Sequence, residues 1–492
     1  MSNRILQNLV NGKWQPSKLY TNIYSVLNGK LYYQVPNTQT DELQPFIDSS
    51  LAVPKSGLHN PYKSPERYLM LGDVCFNTAN QLHKSSIEEQ IVNEISAVTG
   101  KTSDQSYAEL SVTRKFLENF SGDQVRFLAK GFSTPGDHLG QISHGIRWPY
   151  GSVAIISPFN FPLEIPLLQL MGSLFMGNRP ILKVDSRVSV VMDSILKLLH
   201  ENGLPRQDVD FIHCSGNVME SLLLQNNVRM TQFTGSNRIA ERLAKKLYGK
   251  VKLEGGGFDW KIIGKKDPEI DPDLVYEIST KDAYSFSGQK CSAQSLLFIH
   301  DSWDLEHFKK NLKILAAKQK MGPILSLSSD EIINHVNSLL EIDGSKLWFG
   351  NKKIPDKNNI YTLEYLGFIQ PTAVFIPLEE INDSNIKLVT KEIFGPVQIV
   401  TSYSEIDDVL KLCEKIDDHL TAAVVSNDPK FVNYVLGNTV NGTTYIGEKA
   451  RTTGAPQNHW FGPCGDPRSA GIGTPEAIIQ TWSNHREIIR DE

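Results

Sequence analysis

The chain has 492 residues, 40% hydrophobic and 21% charged, with 35 glycines and 25 prolines dispersed along it, which fits a globular protein of two large or roughly three average domains and excludes a disordered or fibrous one. Its 50 basic and 55 acidic residues leave a net charge of -5, without a like-charge run long enough to follow a phosphate backbone, so nucleic acid is not expected as a partner. The most apolar stretch, 165–177, is broken by Gln169 and falls well short of the ~20 residues that cross a bilayer, so no membrane span is expected.

No acidic residue precedes Asp41, whereas Arg4, Lys13, Lys18 and Lys30 are basic, a pattern shared with transit segments. Against that stands Asn11-Gly12 between the apolar residues of 5–14, a strong short signal for a tight hairpin, and a folded hairpin is expected there. Residues 86–120 carry mostly helical apolar spacing with a break at Gly100. Gly100-Lys101-Thr102 has the ending of a phosphate-cradling loop, but such a loop needs a glycine five residues earlier, where Ile95 stands; ATP binding is set aside on that ground. Residues 138–150 read as strands and turns forming a flap.

From there strand and helix alternate. Residues 153–157 read as a short buried strand, 162–176 as a mostly apolar helix and 180–184 as the next strand. The helix expected over 188–202 places Val188, Val191, Ile195, Leu198 and Leu199 on one face and stops at Gly203-Leu204-Pro205. A strand at 208–213, a strand at 230–233, a helix over 237–248 and a strand at 250–253 follow. The pattern repeats from Trp260, with a helix near 273–286, a strand at 295–300 and a helix near 305–318. Strands separated by helices of about 10–15 residues imply βαβ units. The expected fold class is α/β, with two parallel-sheet domains joined near 254–258.

Cys75, Cys214, Cys291, Cys413 and Cys464 form an odd, scattered set, which points to reduced thiols, and no CxxC or HExxH pair offers a metal site, so none is expected. Gly288-Gln289-Lys290-Cys291-Ser292-Ala293 sets Cys291 in a glycine-opened loop between helix and strand, where Lys290 can favour the thiolate; the competing reading is a buried structural cysteine. Glu254 ends a strand ahead of Gly255-Gly256-Gly257, where a carboxylate has room to swing and serve as general base for water, although three glycines also suit a plain hinge. Asn160, within Pro158-Phe159-Asn160-Phe161-Pro162, offers an amide donor to a developing oxyanion. Phe233-Thr234-Gly235-Ser236 leads from strand into helix, where free N–H groups and the helix dipole favour a dinucleotide pyrophosphate, unless it is only a turn. Lys183 ends a strand at the edge where open sheets bind ligands, placed either to reach ribose hydroxyls or to be solvated.

In this order the residues resemble the aldehyde dehydrogenase superfamily, over nearly the whole chain. Asn11-Gly12-Lys13-Trp14 is similar to the family's opening hairpin, and the runs around Asn160, Ser236, Glu254 and Cys291 are similar to its asparagine, cofactor, base and nucleophile motifs. Lys391-Glu392-Ile393-Phe394-Gly395-Pro396 is similar to its nicotinamide-side motif. Residues 116–123, 147–151 and 453–463 look like the plant-type branch of Δ1-pyrroline-5-carboxylate dehydrogenases, which oxidise L-glutamate γ-semialdehyde to glutamate in proline breakdown.

The resemblance implies a Rossmann-like cofactor domain from 1–130 and 151–253, a catalytic domain over 254–470 and oligomerisation elements at 131–150 and 471–492. It makes Cys291 the nucleophile, Asn160 and the Cys291 N–H the oxyanion donors, and Glu254 the base that hydrolyses the thioester. Lys183 and Ser186 would lie at the adenosine ribose, Gly235 and Ser236 at the pyrophosphate, and Glu392 with Phe394 at the nicotinamide ribose. Ser292, Ser469 and Gly471 would hold the amino acid carboxylate, with Phe161 and Phe461 packing on its aliphatic chain.

The sequence departs from the family where Ser186 replaces the usual ribose glutamate and where Glu254-Gly255-Gly256-Gly257-Phe258 replaces Glu-Leu-Gly-Gly-Lys. Arg187 could neutralise a 2'-phosphate, yet Asp185 would repel one, so NAD is expected ahead of NADP. A CoA-acylating enzyme is disfavoured by Glu254, and a non-catalytic binding protein by Glu254 and Cys291 together. Betaine aldehyde and succinate semialdehyde are the competing substrates. Self-association as a homodimer or tetramer, and a mitochondrial matrix location with cytoplasm as the alternative, complete what the resemblance implies.

Overall fold

The computed structural model describes residues 4–226, 228–354 and 367–491. Asn11 and Gly12, at φ 47° and 76°, form the two-residue turn between strands Asn8–Val10 and Lys13–Gln15, a left-handed pair that matches the twist of the hairpin. This hairpin extends one edge of a seven-stranded sheet in antiparallel fashion. The other five strands are parallel, in the spatial order Val251–Glu254, Met230–Thr234, Ser152–Ile156, Arg179–Lys183 and Asp210–Phe211. After Ser152–Ile156 the chain fills one side of the sheet, then returns to the other through Met230–Thr234. The carboxyl ends of those two strands therefore diverge, and a crevice opens between them, the usual ligand position in such sheets.

Alternating strand residues divide the core between the two faces. Val153, Ile155, Leu182 and Met230 pack under helices Glu66–Leu82, Ser85–Thr99, Ser103–Asn119, Glu164–Phe175 and Ser189–Glu201. Ala154, Ile181, Phe233 and Leu253 pack under Gln44–Leu51, Gly216–Gln225 and Asn237–Lys246. By register Glu254 lies opposite Thr234, at the carboxyl edge of the sheet.

A second seven-stranded sheet runs Lys346–Phe349, Thr372–Phe375, Val397–Tyr403, Gln294–His300, Asp259–Ile263, Thr421–Val425 and Thr443–Ile446, parallel except at the first pair. The chain passes from one sheet to the other through residues 255–258. Phe132–Pro135, Gln141–Pro149 and Ser483–Asp491 form a separate antiparallel sheet, so the flap and the C-terminal strand are one unit. Between them, helix Pro475–Trp482 packs Ile478 and Trp482 against Gly172, while Phe461 and Ile472 join the same core.

Two elements are shorter than the sequence suggests. The strand expected at 208–213 is reduced to Asp210–Phe211, because Asp208 is drawn into a 2.5 Å ion pair with Arg67. The helix expected to reach 286 stops at Tyr284, since Phe286 and Ser287 both take φ near 54°. Among the described residues no helix is long and apolar enough to cross a membrane, and no group of three His, Cys, Asp or Glu side chains is placed to hold a metal.

Candidate active site

The left-handed run of Phe286, Ser287 and Gly288 turns the chain out of helix Pro272–Tyr284 and into the loop that carries Cys291. Gln289, fully buried, fixes that loop from behind: its amide donates to the Pro323 carbonyl at 2.9 Å and its side-chain carbonyl accepts the Leu325 N–H at 2.7 Å. Cys291 is half-buried and packs against the first sheet's core.

Glu254 is 1% exposed and neighbours the Cys291 thiol, yet neither of its carboxylate oxygens receives a regular hydrogen bond. Burial pushes its carboxyl up to about 7, with the thiol pulling partly the other way. Burial and then the Glu254 carboxylate hold the thiol well above its ordinary value. The help expected from Lys290 is therefore outweighed: desolvation dominates, and Lys290 itself is pulled down by burial to about 8. The thiol thus faces a buried carboxyl group that can exchange a proton with it.

The glycines after Glu254 are needed because other groups fill the space a side chain would take. A Cβ at Gly256 would collide with Glu392 Oε2, and one at Gly257 with the Cys291 carbonyl and Asp259. At Gly255, where the family has leucine, the room is taken by Asn237, whose amide donates to Asp418. Asn160, 2% exposed, donates one amide hydrogen to the Gln289 carbonyl at 3.2 Å, which leaves the second for a ligand. The Cys291 N–H has no acceptor among the described residues. Two donors thus remain open beside the sulphur.

Lys183 lies at the end of its strand, its ammonium bonded among the described residues only to the Val184 carbonyl, at 3.3 Å. Three residues on, Ser186 opens a short turn and its carbonyl accepts the Tyr33 hydroxyl at 2.8 Å. Gly235 and Ser236 lead into helix Asn237–Lys246, and Ser236 makes no side-chain cap, so the first N–H groups of that helix are open to an anion. Glu392 accepts the Gly257 N–H at 3.3 Å, and burial pushes its carboxyl up to about 8. Phe394, at φ 51°, meets Phe159 edge-on at 6.0 Å. The open N–H groups, the Lys183 ammonium and the Glu392 carboxylate fit a dinucleotide with hydroxyls on both riboses.

Arg187 is committed to Asp185 by two hydrogen bonds, to the Leu325 carbonyl at 2.6 Å and to the Phe159 ring. Burial pushes the partly exposed Asp185 carboxyl up, but Arg187 and Lys183 outweigh it and hold the group below its ordinary value. That fixed negative charge opposes a 2'-phosphate.

Of the residues expected to line a substrate pocket, Ser292 is buried beside Cys291, and Phe161 lies under the Lys101 ammonium at 3.8 Å. Phe461 is 6% exposed and packs in the first core. Ser469 bridges to Leu253, one residue before Glu254, but its hydroxyl donates to the Asp466 carbonyl at 2.6 Å. Gly471 lies against the Trp460 indole, and its carbonyl accepts the Thr481 hydroxyl at 3.1 Å.

Sequence reading missed a buried charged group next to these. Lys101 pairs with Glu109 at 2.6 Å, and Glu109 also accepts the Leu163 and Glu164 N–H groups at 2.9 and 3.1 Å, capping helix Glu164–Phe175 from outside. The only sequence signal was Lys101 itself, in a motif that had to be rejected for phosphate.

A thiol and a carboxylate facing each other where two parallel-sheet domains meet define an α/β oxidoreductase. The chain belongs to the aldehyde dehydrogenase family, whose model matches residues 63–477. It is 53% identical over 495 residues to the mitochondrial delta-1-pyrroline-5-carboxylate dehydrogenase 12A1 of Arabidopsis thaliana, a match that covers 99% of this chain and 88% of that protein. With the human 2-aminomuconic semialdehyde dehydrogenase it shares 27% identity over 497 residues, covering 95% and 94%. Among solved structures, an NAD-dependent aldehyde dehydrogenase from Sinorhizobium meliloti superposes with a TM-score of 0.84 at 18% identity, over 99% of this chain and 95% of that one. Aldehyde dehydrogenase 21 from Physcomitrella patens gives 0.83 at 18% identity, over 100% and 99%. At such identity these structures speak for the fold alone.

Proposed function

We propose that the protein oxidises L-glutamate γ-semialdehyde, the open form of Δ1-pyrroline-5-carboxylate, to L-glutamate with NAD as oxidant. The Arabidopsis relative, similar over almost the entire chain, supports the substrate. The observation that carries the chemistry is the buried Glu254 carboxylate, with no donor besides the Cys291 thiol next to it.

Glu254 takes the thiol proton as the Cys291 sulphur bonds to the aldehyde carbon. The oxyanion of the resulting hemithioacetal is held by the free Asn160 amide hydrogen and the Cys291 N–H. NAD, when bound, supplies the hydride acceptor that turns the hemithioacetal into a thioester. Glu254, having passed the thiol proton to solvent, then draws a proton from water, whose oxygen attacks the thioester carbon; the C–S bond breaks, that proton returns to the sulphur and the carboxylic acid leaves, so that one difficult oxidation becomes two easier steps. Lys183, Ser236 and Glu392 hold the dinucleotide, with Gly235 giving it access and Phe394 and Phe159 walling the ribose.

Ser186 is assigned to the same ribose edge through its backbone. Phe161, Phe461, Ser292 and the Ser469–Gly471 segment are assigned to the aldehyde side. The committed Arg187 and charged Asp185 support NAD over NADP. Self-association as a homodimer or tetramer is assigned to the three-stranded sheet, whose Phe132, Ile142 and Ile489 are exposed. The name of the Arabidopsis relative supports a mitochondrial location.

Absorbance of NADH formed at saturating NAD tests the reading, with glutamate semialdehyde, succinate semialdehyde and a simple alkyl aldehyde compared. The first is expected to win clearly. A preference below about tenfold, worth ~1.4 kcal/mol, rejects the assignment.

A further inference from the structure

Beside the nucleophile loop most buried charges are accounted for. Lys101 is taken by Glu109, and Asp282 accepts the Lys261 ammonium, the Thr452 N–H and the Thr453 hydroxyl, each at 2.9 Å. Besides Glu254, one further carboxylate in this layer is not. Glu164 is nine-tenths buried, and among the described residues no N–H or O–H donates to its side chain and no cation lies within ion-pair distance of it.

Its position is fixed from behind, because Glu109 holds the Leu163 and Glu164 N–H groups at the start of helix Glu164–Phe175. It follows Asn160 by four residues, on the segment that Asn160 ties to the nucleophile loop through Gln289. It lies within electrostatic reach of Glu254 and Lys290, and Lys290 within that of Glu164 and Cys291. One ligand can therefore present a carbonyl to the sulphur and a cation to Glu164.

Neighbouring lysines do not supply that cation. Lys101 is bound to Glu109 and sits over the rings of Phe161 and Phe286, and no ion pair joins Lys290 to Glu164. A buried carboxylate left without a partner is strongly unfavourable, and a ligand that brings the missing charge recovers the loss on binding. Burial, reinforced by Glu109, pushes the Glu164 carboxyl up to about 8, with Lys101 and Lys290 pulling partly the other way.

Resting on the glutamate semialdehyde reading, we propose that Glu164 is a specificity-determining residue that receives the α-ammonium group of the substrate. The site then selects aldehydes that carry a protonated amino group over otherwise identical aldehydes without one.

The test compares L-glutamate γ-semialdehyde with 5-oxopentanoate, which lacks only the amino group, for the parent enzyme, Glu164→Gln and Glu164→Asp at saturating NAD. The Gln variant is expected to lose about tenfold or more in kcat/KM on the amino aldehyde, mostly through KM, while 5-oxopentanoate changes by less than about twofold. The Asp variant is expected to keep part of the preference. Equal losses on both aldehydes, or a Gln variant that retains the parent's preference, would overturn the inference while leaving the proposed function intact.

A parent enzyme that oxidises both aldehydes equally well would likewise overturn the inference, whereas one that oxidises glutamate semialdehyde no better than succinate semialdehyde would overturn the proposed function itself. Product inhibition of the parent adds a measurement that needs no variant: L-glutamate is expected to inhibit more strongly than glutarate, and the reverse order would contradict the role of Glu164.

Discussion

Replacing Glu254 by Gln separates the burden of the carboxylate on the fold from its service to the reaction. The group is 1% exposed, neither oxygen has a donor other than the neighbouring Cys291 thiol, and burial lifts its carboxyl from 4.5 to about 7. That difference corresponds to roughly 3 kcal/mol in favour of the neutral form. The folded chain holds this proton more tightly than the unfolded chain, so the penalty is small below pH 4.5, grows as the pH rises toward 7, and is complete above. A Gln amide is uncharged but also lacks partners, which leaves an expected gain of about 1–3 kcal/mol at alkaline pH. With an unfolding entropy of ~2.1 cal/mol/K per residue, the 492-residue chain should melt about 1–3 °C higher at pH 8 and almost unchanged at pH 5. Scanning calorimetry of parent and variant at both pH values measures this, while kcat should fall by about 10²–10⁴ with loss of the base. No gain at pH 8, or the same gain at both pH values, would mean that the carboxylate is solvated or paired, and the argument from burial would fail.

Three further substitutions probe the surroundings. Asn160→Ala removes one of the two open donors and should lower kcat by about 10²–10³ with NAD affinity, measured by fluorescence titration, unaltered; a loss below about tenfold would move the oxyanion elsewhere. Gly256→Ala forces its Cβ into Glu392, so the KM for NAD should rise about tenfold and the aldehyde KM by less than about twofold, and the opposite pattern would contradict a cofactor role for Glu392. Lys101→Met leaves Glu109 buried without its cation, which should destabilise by about 3–5 kcal/mol in thermal or urea unfolding. An unchanged transition would show that the pair is not sealed from water.

The scaffold was largely legible because its signals are local. Alternating short apolar strands and helices announce parallel sheets, and Asn11-Gly12 can hardly form anything but a tight turn. The residues at strand ends, Lys183, Ser236 and Glu254, fall at the carboxyl edge of the first sheet because parallel strands put all such ends on one side. What was not legible depends on burial and on distant contacts. Lys290 precedes Cys291 in sequence, so adjacency suggested a thiolate, but adjacency says nothing about desolvation, which has the larger effect on both groups. The Lys101–Glu109 pair and the unpartnered Glu164 leave no mark on a hydropathy pattern, since charged residues read as surface. Phe286 and Ser287 adopt a conformation usually left to glycine, and no residue type there warned that the helix ends early. The return of Phe461 and Trp482 to the first core is set by tertiary packing against residues such as Gly172, far away in sequence.

The central claim is that Cys291 carries the acyl group and Glu254 releases it. Mixing Glu254→Gln with NAD and glutamate semialdehyde, then digesting the quenched protein for mass spectrometry, tests both halves at once. The expected result is a burst of NADH that rises slowly, because the thiol has lost the base that takes its proton, and stops close to one equivalent per chain, with a glutamyl thioester on the peptide that contains Cys291. A burst without an adduct, or an adduct on Cys75, Cys214, Cys413 or Cys464 in place of Cys291, would contradict it.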